Sequence, residues 1–119
     1  MAEEKLSDVF YHPKTVVIGK WQVPLRRLSL ADWAAMEQEF GSIDKFMEAF
    51  SGIGVFNATL WILWRMVRKV EPLVTKEEVG EAIEDLQAAV EWVNHILEIS
   101  VPTEWRPKGV EGGETIGGS

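Results

Sequence analysis

Few residues in this 119-residue chain are of types that do chemistry. There are two histidines, His12 and His95, and no cysteine. His95 stands between Glu91 and Glu98 at helical spacing, so a carboxylate–imidazole set could share one helix face. A metal centre needs at least a third strong ligand with matching geometry, and none is at hand. His95 therefore reads as a surface histidine among helix charges. The carboxylate pairs Glu77-Glu78 and Glu84-Asp85 resemble acid–base pairs only in type. They stand at helix starts, where acidic side chains favour the macrodipole. The absence of cysteine removes disulfides, thiolate zinc sites and thiol nucleophiles together, and fits a reducing compartment. No nucleophile elbow, phosphate loop or dinucleotide fingerprint is present. Gly52-Ile53-Gly54 lacks both a preceding strand and a third glycine, and reads as a turn between helices. The expectation is a non-enzyme with no catalytic residue, no metal and no cofactor.

The residues that invite a binding role are Trp61, Trp64, Arg65 and Arg68. At about 100° per residue, Trp61 falls beside Asn57, Arg65 and Arg68, away from the apolar stripe of its helix, with Trp64 at the edge of that face. Tryptophan with arginine neighbours is the composition of an interface anchor, combining rigid aromatic area with guanidinium stacking. In a domain this small, the competing reading is that another element, such as a hairpin, covers both rings. Glu37 projects into an apolar arc of its own helix and is expected to pair with Arg26 or Arg27 at the edge.

The length suits one domain, and a hydrophobic fraction of 46% with six Trp and five Phe supplies a core without a disulfide or metal. The net charge is −7, which opposes nucleic-acid binding, and the small basic groups lack the glycine or aromatic interleaving of a nucleic-acid motif. The longest apolar run, 58–64, is far short of the roughly 20 residues of a membrane span. Residues 1–8 lack the apolar stretch of a secretory signal, so the expected location is the cytosol.

These residues must be positioned by a mainly α (α+β) fold: a small N-terminal β-hairpin followed by four or five packed helices. Residues 1–14 read as an arm, 15–100 as a single domain and 101–119 as a flexible glycine-bearing tail, in which Trp105 could dock locally. The hairpin is expected as 15–18 against 21–25 around Gly19-Lys20, with Pro24 on an edge. Ser29, with Asp32 as a variant capping box, opens a helix that ends at Gly41, its inner residues being Leu30, Trp33, Met36 and Phe40. Ser42 caps a shorter helix with Ile43, Phe46, Met47 and Phe50 inward. A third helix over 53–70 carries the stripe Ile53, Phe56, Leu60, Leu63, Val67 and Val70. Thr75-Lys76-Glu77-Glu78 is a full capping box. Residues 76–100 are one long helix or two, and the pattern leans to a break near Glu84–Asp85 with Asp85 as a new cap.

The order of segments resembles a known family. The hairpin leads into Leu25-Arg26-Arg27-Leu28-Ser29-Leu30-Ala31-Asp32-Trp33, and Glu39-Phe40-Gly41-Ser42 follows. Then come Leu60-Trp61-Ile62-Leu63-Trp64 and, after a proline, Thr75-Lys76-Glu77-Glu78-Val79-Gly80. Over residues 15–100 this is similar to the tail assembly chaperones of long-tailed bacteriophages and prophages, including related proteins of gene transfer agents. The resemblance implies a cytoplasmic helper that coats the tape measure protein, helps recruit tail tube protein subunits and is absent from the mature virion. Members of that family often have a longer form made by translational frameshift near the end of the short form, which this chain would match. The resemblance carries over no catalytic or client-binding residue, and self-association stays open. The rival reading is a structural head–tail connector or neck component that remains in the phage particle.

Overall fold

Turn chemistry at Gly19 starts the fold. Its φ of 59°, with no positive φ at Lys20, is what a two-residue type II′ hairpin turn requires of its first central residue. The computed structural model describes residues 14–101, in which β1 (Lys14–Ile18) pairs antiparallel with β2 (Trp21–Leu25). The expected arm up to residue 13 and tail from residue 102, with His12 and Trp105, lie outside the described residues. Val16, Ile18, Val23 and Leu25 are buried on one face while Val17 is exposed on the other, the period-two alternation of a half-covered sheet. Pro24 lies opposite Thr15. Counted outward from the turn, that is a non-hydrogen-bonded pair, so the missing N–H removes no ladder bond. A Cβ at Gly19 would lie 2.9 Å from the Ala82 Cβ, so only glycine lets this turn sit against the helix that follows Thr75.

Five helices follow. Helix α1 (Leu30–Phe40) opens on a complete capping box of Ser29 and Asp32 and closes at Gly41, whose φ is 99°. The Ser42 hydroxyl accepts the Lys45 N–H at the start of α2 (Ile43–Phe50). The chain then bends by 118° into α3 (Val55–Arg68). Helix α4 (Lys76–Ala82) begins with the Thr75–Glu78 box, and α5 (Leu86–Ser100) begins where the Asp85 carboxylate accepts the Ala88 N–H. Ile83 and Asp85 are extended, so residues 76–100 form two helices, broken where the second cap predicts.

Helix α3 is the axis of the domain and packs against α2, α4, α5 and β2. Its buried side chains are Ala58, Thr59, Trp61, Ile62, Leu63, Met66 and Val67. They meet Val23 and Leu25 from the hairpin, Val79 from α4, and Val93 and Ile96 from α5 in one core. The expected stripe is corrected here. Ile53, Phe56 and Val70 are exposed, and the true buried face is turned by roughly 100°, about one residue, from the expected one. Leu30 is also outside: at the first position of α1 it lies roughly 120° around the helix from the inward column of Asp32, Met36 and Phe40. The C-terminal end of α5 is fastened to the segment between β2 and α1, where the Leu28 N–H donates to the Ser100 hydroxyl at 2.9 Å.

Thr59 is buried in this apolar setting with no partner for its hydroxyl. Replacing it with the isosteric valine removes an unmet polar group at almost constant shape. Thr59→Val should therefore raise stability by about 0.5–1 kcal/mol, read as a higher urea midpoint at unchanged slope.

Candidate functional site

The four residues singled out by composition separate into an inner and an outer pair. Trp61 is 3% exposed, so the expected surface anchor is a core residue. Phe40 meets it edge to face at 5.7 Å, Phe46 meets Phe40 in the same way at 5.1 Å, and Phe50 stacks on Phe46 at 6.1 Å. This aromatic row joins α1, α2 and α3, and its T-shaped contacts are the preferred geometry of ring quadrupoles. Phe40, at the α1–α2 corner, is one of the groups that cover Trp61.

Arg65 is likewise drawn inward. Its Nε and Nη2 both lie near Asp32 Oδ1, at 3.0 and 2.9 Å, and its guanidinium carbon lies 5.5 Å from the Trp61 ring centre. Lys69 Nζ donates to Asp32 Oδ2 at 3.0 Å, and the Ser29 N–H and hydroxyl donate to the same oxygen at 2.9 and 3.1 Å. Asp32 is fully buried. Burial pushes its carboxyl upward, but the Ser29 amide, Lys69 and Arg65 outweigh that push and hold it below the ordinary value near 3.8. A carboxylate inside the fold that gathers two cations is the feature the sequence pattern did not reveal. Asp32 shows there only as a helix cap, and Lys69 only as one of several basic residues. Glu37, expected to take an ion-pair position at the edge of α1, is exposed.

The outer pair is Trp64 and Arg68. Trp64 is half-buried, and its indole N–H donates to the Val74 carbonyl at 3.0 Å, which fixes the ring against the turn between α3 and α4. Two cations lie over that ring, Arg68 at 4.9 Å and Lys76 at 5.6 Å. Arg68, Lys69, Arg65 and Asp32 line an open recess at the end of α3. It holds three cations against one carboxylate, an excess of two positive charges. Val70 and Leu73 stand exposed nearby in the chain, Leu73 at 87%. The candidate surface is thus basic and apolar together, built on one anchored indole. His95 is half-buried between exposed Glu91 and Glu98, and among the described residues no three His, Cys, Asp or Glu side chains converge to hold a metal ion. Among the described residues no single helix is long and apolar enough to cross a membrane.

Trp61→Ala should cost about 3–5 kcal/mol in urea denaturation, the range for emptying a large aromatic site. Asp32→Ala removes a helix cap and strands two cations. It should cost about 2–4 kcal/mol, kept below the fully buried case because Arg65 and Lys69 reach solvent. Since the folded carboxyl titrates below its unfolded value, its contribution is full above about pH 5 and is lost as pH falls through the folded pKa. Asp32→Asn should flatten the acid side of the stability–pH curve, while a curve of unchanged slope would contradict the assignment.

Compared with protein-family models, curated proteins and solved structures, the chain finds no match, so its function has to be read from its own residues.

Proposed function

We propose that this protein is a bacteriophage or prophage tail assembly chaperone, a non-enzymatic module that binds the tape measure protein and helps recruit tail tube subunits. The observation that carries the reading is the end of α3. There Arg68 and Lys76 lie over the anchored Trp64 ring, beside a basic recess and close in sequence to exposed Val70 and Leu73. Rigid aromatic area, arginine and apolar side chains within a polar rim make up a protein-binding surface. Phe56 at the opposite end of the same helix and Ile53 in the turn before it add exposed apolar area. Scattered apolar groups of this kind suit contacts that must later be released, because no single patch holds the client irreversibly. The resemblance in segment order over residues 15–100 supplies the identity of the client. The net charge of −7 suits a helper that has to stay soluble beside an aggregation-prone partner.

Co-expression with a tape measure protein, sought as a very long helical reading frame directly downstream, should keep that protein soluble and yield a co-purifying complex. Mass spectrometry of finished particles should find this chain missing. Its presence there in fixed copy number would instead identify a connector or neck component. Leu73→Ser should weaken capture several-fold while moving stability by no more than about 0.5 kcal/mol, since the side chain lies outside the core.

A further inference from the structure

We propose that the recess at the end of α3 is a carboxylate-binding site, and that the partner segment it takes is acidic and apolar, pairing a Glu or Asp side chain with Arg68 and Lys69. This rests on the protein-binding reading above and names the chemistry of the partner. Three observations converge on it. The recess carries an excess of two positive charges in a chain whose net charge is −7, so its charge is opposite to that of the whole molecule. Its cations are held in advance. Asp32 fixes Arg65 and Lys69, and the Arg68 guanidinium lies over the Trp64 ring at 4.9 Å, so part of the side-chain freedom is already given up before binding. Among the described residues no acidic side chain pairs with Arg68. A guanidinium over an aromatic ring keeps N–H groups free to take a carboxylate in a two-pronged contact.

The neighbouring groups select the kind of anion. Exposed Val70 and Leu73 favour a polypeptide that offers apolar side chains next to its acid. A nucleic-acid backbone would bring a dense line of charge toward a chain that repels it. The acidic residues of the adjoining turn and helix, Glu71, Glu77 and Glu78, likewise disfavour a long polyanion while leaving room for a single carboxylate.

The test uses the full chain, labelled with 15N, and a synthetic helical peptide alternating Glu and Leu. Its controls are the same peptide with Gln for Glu, inorganic phosphate, and phosphatidylglycerol vesicles. The expected result is a saturable shift of the Trp64 indole and Arg68 Nε–H resonances with the Glu peptide. Arg68→Glu should weaken binding at least about tenfold, and so should raising NaCl from about 50 to 500 mM, because exposed charge pairs are screened. Arg68→Gln, which keeps the stem over Trp64, should give a smaller loss in the same direction; it serves as the deciding variant if Arg68→Glu lowers the melting temperature. Equal binding of the Gln peptide, no saturable shift, or a stronger response to phosphate or vesicles would each overturn the proposal. Capture of the tape measure protein separates the two readings. If the chaperone reading fails, no capture occurs while the Glu peptide still binds; if only the carboxylate site fails, capture survives Arg68→Glu.

Discussion

A carboxylate withdrawn from water has to be compensated, and the compensation of Asp32 sets the arrangement of the whole N-terminal half. Its two oxygens take donors from Ser29, Arg65 and Lys69, which ties the first turn of α1 to the last turn of α3. Farther along the same two helices, Phe40 at the end of α1 meets Trp61 one turn earlier on α3. The two pairings run in opposite directions along the helices, and Met36, between Asp32 and Phe40 on α1, is fully buried. Trp61, Arg65 and Lys69 follow one another at intervals of four, the column a helix presents along one side. Fixing Arg65 on Asp32 therefore fixes how α3 is turned about its own axis, and with it which side chains enter the core and which remain on the surface.

What was legible in the sequence is what local chemistry decides. The hairpin follows from a glycine at a position that needs positive φ and from alternating apolar residues on either side. The helix starts follow from Ser29, Ser42, Thr75 and Asp85, each of which accepts a backbone N–H three residues ahead. The break between α4 and α5 was open to periodicity alone, and the Asp85 cap favoured it correctly. The face of α3 was not legible. Apolar residues surround that helix, and its buried side chains cover roughly two-thirds of its circumference, so a hydrophobic stripe drawn through it has no unique direction. Arginine beside Trp61 made that side look like surface. In the fold the same arginine is what closes it, by reaching a partner 33 residues earlier in the chain. A helix-capping aspartate that also serves as a buried counter-ion has no separate sequence signal.

The division of labour among the cations follows from one turn of helix. Arg65 and Lys69 point toward Asp32 and hold the fold; Arg68, between them in sequence, is rotated away onto Trp64 and faces solvent. The ion-paired cations and the exposed arginine thus share one recess, in which Lys69, held by Asp32, stands beside Arg68. This arrangement also accounts for the shortage of compensating acid at the site. Asp32 is the one carboxylate in the recess, and it is already engaged.

A positive end on an acidic molecule orients an approaching partner as well as attracting it. An acidic segment meets like charge on α4 and α5, which carry Glu77, Glu78, Glu81, Glu91 and Glu98, and opposite charge in the recess at the end of α3. Fields of this kind act mainly on encounter rate and on the exclusion of wrong orientations, whereas the lifetime of the complex is set by what is desolvated after contact. In the proposed complex the part to be desolvated is small, since the Trp64 indole is already half-covered by its own chain. On the chaperone reading proposed above, fast, directed capture with modest retention is the kinetic combination that role requires.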